Sequence, residues 1–199
     1  MRELSGVNIC TSLNCENSQY TPDPTVLLDS TEWRKLFSSE RVFKTNKKKI
    51  FIYSCYLSRE ELIGKFANLE DYEIIIEDVV NDDSDIAQLT LENWIQAIDE
   101  ADYVITNSFH ATMFSLYMNT PFITFKYSAA NKSRMNTRLD SILSQVKLTE
   151  RFVSLDTNIN DSFKILTKEI DWFSVNKELD IIRQIGTEYL KESIQNIII

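Results

Sequence analysis

The stretch from Asp102 to Phe125 constrains the fold of this chain more than any other. Tyr103 to Ile105 is a short apolar run with β-branched residues, which reads as a strand. Thr106, Asn107 and Ser108 follow, small polar residues able to turn the chain and cap a helix. Phe109, Met113, Leu116 and Tyr117 then recur at helical spacing. Asn119 ends that helix and Pro121 blocks its continuation. Phe122 to Phe125 reads as the next buried strand. A strand feeding a helix through a small polar turn leaves backbone N–H groups free at the helix N-terminus, where anions bind. His110, the only histidine of the chain, falls at that point. The same pattern also serves as a plain cap that binds nothing, so the turn alone does not separate a site from a structural element.

The rest of the chain repeats the alternation. Met1 to Tyr20 has weak periodicity. Pro22 and Pro24 fix an extended entry to Thr25–Leu28, and Ser30 and Thr31 can cap a short helix through Trp33, Leu36 and Phe37. Ser38 to Lys49 is a polar connection whose clustered lysines read as a solvated loop. Ile50 to Tyr56 is a strand pattern. Ser58-Arg59-Glu60-Glu61 is a capping box opening a helix through Leu62, Ile63, Phe66 and Leu69. Tyr72 to Ile76 reads as a buried strand. The acidic turn Asn81–Asp85 lacks the glycine and distal glutamate of a calcium loop. Thr90 can cap a helix through Leu91, Trp94, Ile95 and Ile98. Phe152, Val153 and Leu155 suggest a last short strand. Leu166–Trp172 and Leu179–Ile194 read as amphipathic helices, and Ile197–Ile199 form an apolar tail. Strands alternating with helices predict an α/β domain with a three-layer, Rossmann-like parallel sheet and right-handed crossovers.

Composition narrows the function. A formal net charge of -9 disfavours a nucleic-acid partner. The cysteines, Cys10, Cys15 and Cys55, are odd in number and form no Cys-x-x-Cys pair, which indicates neither a disulfide framework nor a zinc site. One histidine and scattered thiols give no transition-metal site, and no organic cofactor is indicated. The scarce glycines, Gly6, Gly64 and Gly186, build no phosphate loop. Any phosphate must be held by helix N-termini and basic side chains. No apolar segment has signal or membrane-spanning length, so the expected location is the cytoplasm. Within this acidic chain a local basic excess follows Phe125: Lys126, Lys132, Arg134 and Arg138. It lies after a strand, where α/β domains bind ligands, and Arg134 and Arg138 share one side of a helix.

Three motifs resemble those of the polysaccharide pyruvyl transferase family. Val104–His110 is similar to its "Val-Ile-Thr-Asp/Asn-Ser-Phe-His-Gly" turn, with Ala111 in place of the glycine, followed by Asn119 and Pro121–Ile123. Asp23–Leu28 is similar to "Asp-Pro-Thr-x-Leu-Leu". Thr137–Leu143 is similar to "Ser-Arg-Ile-x-Ser-Leu-Leu". The resemblance implies one domain of a two-domain GT-B-type fold. It divides the chain into a junction segment over 1–20, a Rossmann-like domain over 21–175, and a C-terminal helix with its apolar tail over 176–199. It also implies a preceding N-terminal α/β domain, without which the chain is expected to fold but not to turn over. The apolar tail would meet that domain or form a homodimer.

By the same resemblance the reaction is transfer of pyruvate from phosphoenolpyruvate to two hydroxyls of a sugar or lipid-linked glycan, as a ketal. His110 suits proton transfer or anion contact, because histidine is the side chain that ordinarily titrates near neutrality. Asn107, Ser108 and backbone N–H groups can cradle phosphate or carboxylate, and Lys126, Arg134 and Arg138 can neutralise charge. Some branches of the family carry "Arg-Leu-His" where this chain has Ser108-Phe109-His110. Either Arg138 or Arg134 replaces that arginine, or the donor is held differently, or activity is reduced. The alternatives are a GT-B-type glycosyltransferase using a nucleotide-sugar and a non-catalytic binding module.

Overall fold

Alternate residues of each strand face opposite sides of one sheet. Ile50, Ile52, Ile105 and Ile123 enter one core, while Phe51, Val104 and Phe122 enter the other. Strands buried on both faces are apolar along their whole length, as parallel strands covered by helices must be. The computed structural model describes residues 1, 3–15, 18–55, 69–78, 89–127 and 133–195. Among these lies a five-stranded sheet of β1 (Lys48–Ser54), β2 (Tyr72–Asp78), β3 (Tyr103–Thr106), β4 (Phe122–Phe125) and β5 (Phe152–Val153). Every pairing is parallel, and the order is β2-β1-β3-β4-β5. Chain direction across the sheet reverses between β1 and β3. Crevices at such a switch point, beyond the carboxyl ends of the strands, are where open α/β sheets bind ligands.

The described helices are α1 (Leu4–Ser12), α2 (Ser30–Arg34), α3 (Leu91–Glu100), α4 (Phe109–Met118), α5 (Ser133–Gln145), α6 (Ile159–Thr167) and α7 (Trp172–Gln195). Helices α3, α4, α5 and α7 pack on the face that carries Phe51 and Phe122, and α6 packs on the other. The result is the expected three-layer α/β arrangement. None of the described helices is long and apolar enough to cross a membrane.

Helix α4 lies at the centre. Every residue of it is buried except His110. Thr112 Oγ1 meets Thr124 Oγ1 at 2.8 Å and ties the helix to β4. At its far end Asn119 adopts the left-handed conformation, φ 59°, that asparagine tolerates better than most residues. Its N–H and that of Thr120 return to the last turn of the helix. These features agree with the reading of Thr106–Phe125 as turn, helix, stop and strand.

Elsewhere local capping moves the expected boundaries. The weakly periodic start folds as α1. Asp29, one residue ahead of the expected cap, accepts from the N–H groups of Thr31 and Glu32, and α2 ends at Arg34 before Leu36 and Phe37. The helix expected over Leu166–Trp172 does not exist as such. Asn158 caps α6 much earlier, and Lys168 leaves the helix with extended backbone. Asp171 then accepts from the N–H and hydroxyl of Ser174 to start α7. Arg151, fully buried, donates to the carbonyls of Phe122, Leu166 and Lys168 and so closes the end of α6. Burial pushes its guanidinium down to about 10, still charged at neutrality. The helix expected after Ser58, the acidic turn Asn81–Asp85, Lys132 and the tail Ile197–Ile199 lie outside the described residues.

Candidate functional site

The turn after β3 is built by short polar side chains. Thr106 Oγ1 donates to the Tyr53 carbonyl at 2.7 Å and accepts from the Ser108 N–H at 2.9 Å. Ser108 is the N-cap of α4 and accepts from the Ala111 N–H. Asn107 Oδ1 accepts from the Cys55 N–H at 2.9 Å, and the Asn107 carbonyl accepts from the buried Tyr127 hydroxyl at 2.5 Å. The ends of β1 and β3 are thereby locked together. His110, in the first turn of α4, is left with half of its side chain exposed.

Behind His110 stands Asp23, only 5% exposed. Its Oδ2 lies 3.8 Å from His110 Nε2. Its Oδ1 accepts from the Thr25 N–H at 3.2 Å and from the Thr25 hydroxyl at 2.9 Å, which fixes the carboxylate plane. Thr25 Oγ1 in turn meets the Tyr117 hydroxyl at 3.1 Å. Burial pushes the Asp23 carboxyl up. The nearby His110 imidazole and hydrogen bonds from the Thr25 hydroxyl and N–H outweigh that effect and hold it well below the ordinary carboxylate range. A buried, ionised carboxylate therefore stands behind a half-exposed imidazole.

Arg138 lies on the far side of Asp23. Its Nη2 is 3.4 Å from Asp23 Oδ2 and its Nε 2.9 Å from Glu3 Oε1. The guanidinium stacks 3.9 Å over the Phe109 ring. This arginine is already engaged by two carboxylates and an aromatic face.

His110 and Ser108 open onto a cavity of about 600 Å³ at the switch point between β1 and β3. Trp33, Tyr53, Trp94 and Phe114 line it. The rings meet edge to face, with centroids 5.0 Å apart for Trp33–Phe114, 5.1 Å for Tyr53–Trp94 and 5.6 Å for Trp94–Phe114. Glu77 from the end of β2, Cys55 and Thr25 add polar groups. Burial, with Cys55 and Glu77 nearby, pushes the Tyr53 phenol up to about 12, so it stays a neutral donor. The indole N–H groups of Trp33 and Trp94 are buried without an acceptor. Such orphaned donors cost about 1–3 kcal/mol each. Among the described residues no cluster of three or more His, Cys, Asp or Glu side chains could hold a metal ion.

The family model for polysaccharide pyruvyl transferase matches residues 1–129, well over half of the chain. The chain belongs to the polysaccharide pyruvyl transferase family. No curated protein matches it significantly. Among solved structures it is similar to one described as the glycotransferase of kitacinnamycin, at 14% identity and TM-score 0.48. That match covers 80% of this chain and 46% of the other, so the chain spans less than half of that structure's length.

Of the pyruvyl transferase motif residues, His110 and Ser108 line the cavity. Asn107 is spent on joining the strand ends. Arg138 sits behind Asp23 rather than in the cavity. Lys126 is exposed, with its Nζ 5.1 Å from the centre of the Phe152 ring, on the β5 side of the sheet. Arg134 lies in the first turn of α5, and its side chain lies outside the described residues. Asp23 heads one of the three motifs, but nothing in the sequence shows that it lies beside His110. Sequence reasoning passed over the aromatic walls, since Trp33, Tyr53, Trp94 and Phe114 each read as core residues of separate elements.

Proposed function

We propose that this domain supplies the acid–base half of a pyruvyl transferase cleft, moving pyruvate from phosphoenolpyruvate to two hydroxyls of a glycan. The Asp23–His110 pair at the mouth of the cavity carries this reading. The methylene carbon of phosphoenolpyruvate must gain a proton, which generates oxocarbenium character at the carbon bearing phosphate. One sugar hydroxyl bonds to that carbon. Phosphate leaves, and the second hydroxyl bonds to the same carbon. The two hydroxyl protons end on the new methyl group and on the departing phosphate. His110 is the group that moves them, and Asp23 positions it.

The donor's charges need partners. The N-terminus of α4 presents its positive dipole end beside His110. Arg134, on the first turn of α5, is the cation expected to complete that set, with Lys126 a weaker claimant from the β5 side. The N-terminal α/β domain that the family resemblance implies would close the cleft.

The test is phosphate release from phosphoenolpyruvate by the complete two-domain enzyme with a glycan acceptor. His110→Gln should lower turnover about a hundredfold or more while the protein stays folded. Asp23→Asn should lower kcat more than it raises KM. Near-normal turnover in His110→Gln would remove His110 from proton transfer. A second reading rests on Glu77. A carboxylate at the end of the strand beside β1 is where nucleotide-binding sheets hold a ribose, so a nucleotide-sugar donor is the rival. Tight binding of a uridine or guanosine diphosphate, without any response to phosphoenolpyruvate, would favour it.

A further inference from the structure

We propose that Arg138 is a positioning residue rather than a donor ligand: held in place by Glu3, it sets the charge behind Asp23 and through it the protonation of His110. This rests on the reading of His110 as the group that moves protons.

A guanidinium binds an oxyanion through its planar fork. In Arg138 that fork is occupied. Its Nε lies 2.9 Å from Glu3 Oε1 and its Nη2 3.4 Å from Asp23 Oδ2, while the guanidinium stacks on the Phe109 ring. Only 16% of the side chain is exposed. An incoming donor would have to take the place of two carboxylates and leave both without their cation. Glu3 is the N-cap residue of α1, yet its side chain takes no hydrogen bond from that helix and meets Arg138 instead. Phe109, under the guanidinium, meets the His110 ring edge to face, with centroids 5.5 Å apart. Arg138 therefore touches both the carboxylate and the phenyl ring that neighbour the imidazole, and it does not line the cavity onto which His110 opens.

The described charges around Asp23 are uneven. Glu3 at the cap of α1, Arg138 of α5 and His110 of α4 are the ionisable side chains joined to it directly or through Arg138. Arg183 of α7 reaches the Val26 carbonyl nearby, but its guanidinium is paired with Asp180. Burial raises the pKa values of Tyr20 and Tyr117, so both phenols stay neutral. Tyr53, Cys55 and Glu77 face the imidazole from the cavity side. With His110 neutral, two carboxylates share the Arg138 guanidinium; a proton on His110 evens the count. Loss of the guanidinium should favour that proton, and loss of the Glu3 charge should oppose it.

The test follows the His110 ring resonances by NMR as the pH of the full chain is varied, without donor. Arg138→Met should raise their pH midpoint by about half a pH unit or more, and Glu3→Gln should lower it by a similar amount. The double variant, which removes one charge of each sign, should fall between the two. Arg138→Lys keeps the charge without the planar fork and should stay near the wild-type midpoint. A merely structural role for the cluster gives no reversal with the sign of the charge removed. Phosphoenolpyruvate affinity should fall less than about threefold in Arg138→Met, whereas loss of a guanidinium–oxyanion contact would cost about tenfold or more. Should Arg138→Met fail to fold, the downward shift in Glu3→Gln decides alone. Unmoved midpoints, shifts of one sign in both single variants, or a tenfold loss of phosphoenolpyruvate affinity in Arg138→Met would each overturn the assignment. The pyruvyl transfer reading fails separately: a wild-type imidazole that ignores phosphoenolpyruvate would remove it and leave the opposed midpoint shifts standing.

Discussion

Asp23 is held well below the ordinary carboxylate range although its burial pushes the other way. The groups responsible are Thr25, two residues on, and His110 from the start of α4, with Arg138 of α5 also in contact. Only the Asp23–Thr25 cap has a local signature, since an aspartate, a histidine and an arginine far apart in sequence announce no contact. The motif that places His110 was legible; the carboxylate behind it was not. The consequence for stability follows from the direction of the shift. The folded-state pKa of Asp23 lies below its ordinary value of 3.8. Its contribution to stability is therefore present above that value and is lost as pH falls through the ordinary carboxylate range towards the lower folded-state pKa. Urea midpoints measured from neutrality downward should fall across that range, and Asp23→Asn should show a shallower fall. Some slope should remain, because Asp29 and Glu73 are also held below their ordinary values by hydrogen bonds. An unchanged slope in Asp23→Asn would mean that the carboxylate is not ionised and bonded as described.

Elements that bury both faces or end in strong caps were readable from sequence: β3, α4 and β4 are bounded by Ser108, Asn119 and Pro121 much as their residue types dictate. The split between α6 and α7 was not, because the residues that enforce it, Arg151 and Asp171, act through hydrogen bonds rather than periodicity. Arg151→Met keeps much of the volume but leaves three carbonyls without their donor. It should cost about 3 kcal/mol, read as a lower urea midpoint with an unchanged denaturant slope; a loss near zero would show that water replaces the guanidinium. Helix α7 holds the Asp23 segment through a close contact. Arg183 Nε donates to the Val26 carbonyl at 2.9 Å, and a Cβ at Gly186 would lie 2.8 Å from Pro22 Cγ and 3.0 Å from Leu27 Cδ2. Alanine at an ordinary helical glycine gains up to about 1 kcal/mol. Here overpacking of about 1–3 kcal/mol opposes that gain. Gly186→Ala should therefore destabilise the protein by about 1 kcal/mol and shift the His110 resonances through the displaced Asp23 turn. A more stable variant with unmoved His110 would contradict that coupling.

Across the whole molecule, the parallel order β2-β1-β3-β4-β5 brings together residues that the chain keeps apart. Tyr53 and Cys55 from the end of β1, Glu77 from β2, and Ser108 and His110 after β3 meet at one switch point. The sequence pattern was enough for a three-layer α/β domain. Strand order, and hence which side chains share a cavity, depends on long-range pairing that periodicity does not encode. The chain alone is expected to bind phosphoenolpyruvate weakly, with affinity falling as salt is added, and to release no phosphate from it; turnover by the isolated chain would show that the implied first domain is dispensable. The most direct measurement exploits the single histidine. Its imidazole resonances need no assignment by mutagenesis, and they can be followed while phosphoenolpyruvate is titrated into the folded protein. They should shift saturably at millimolar donor, with the response weakened in Asp23→Asn. An imidazole that stays unmoved at saturating donor, in a chain that remains folded, would contradict the placement of donor chemistry at His110.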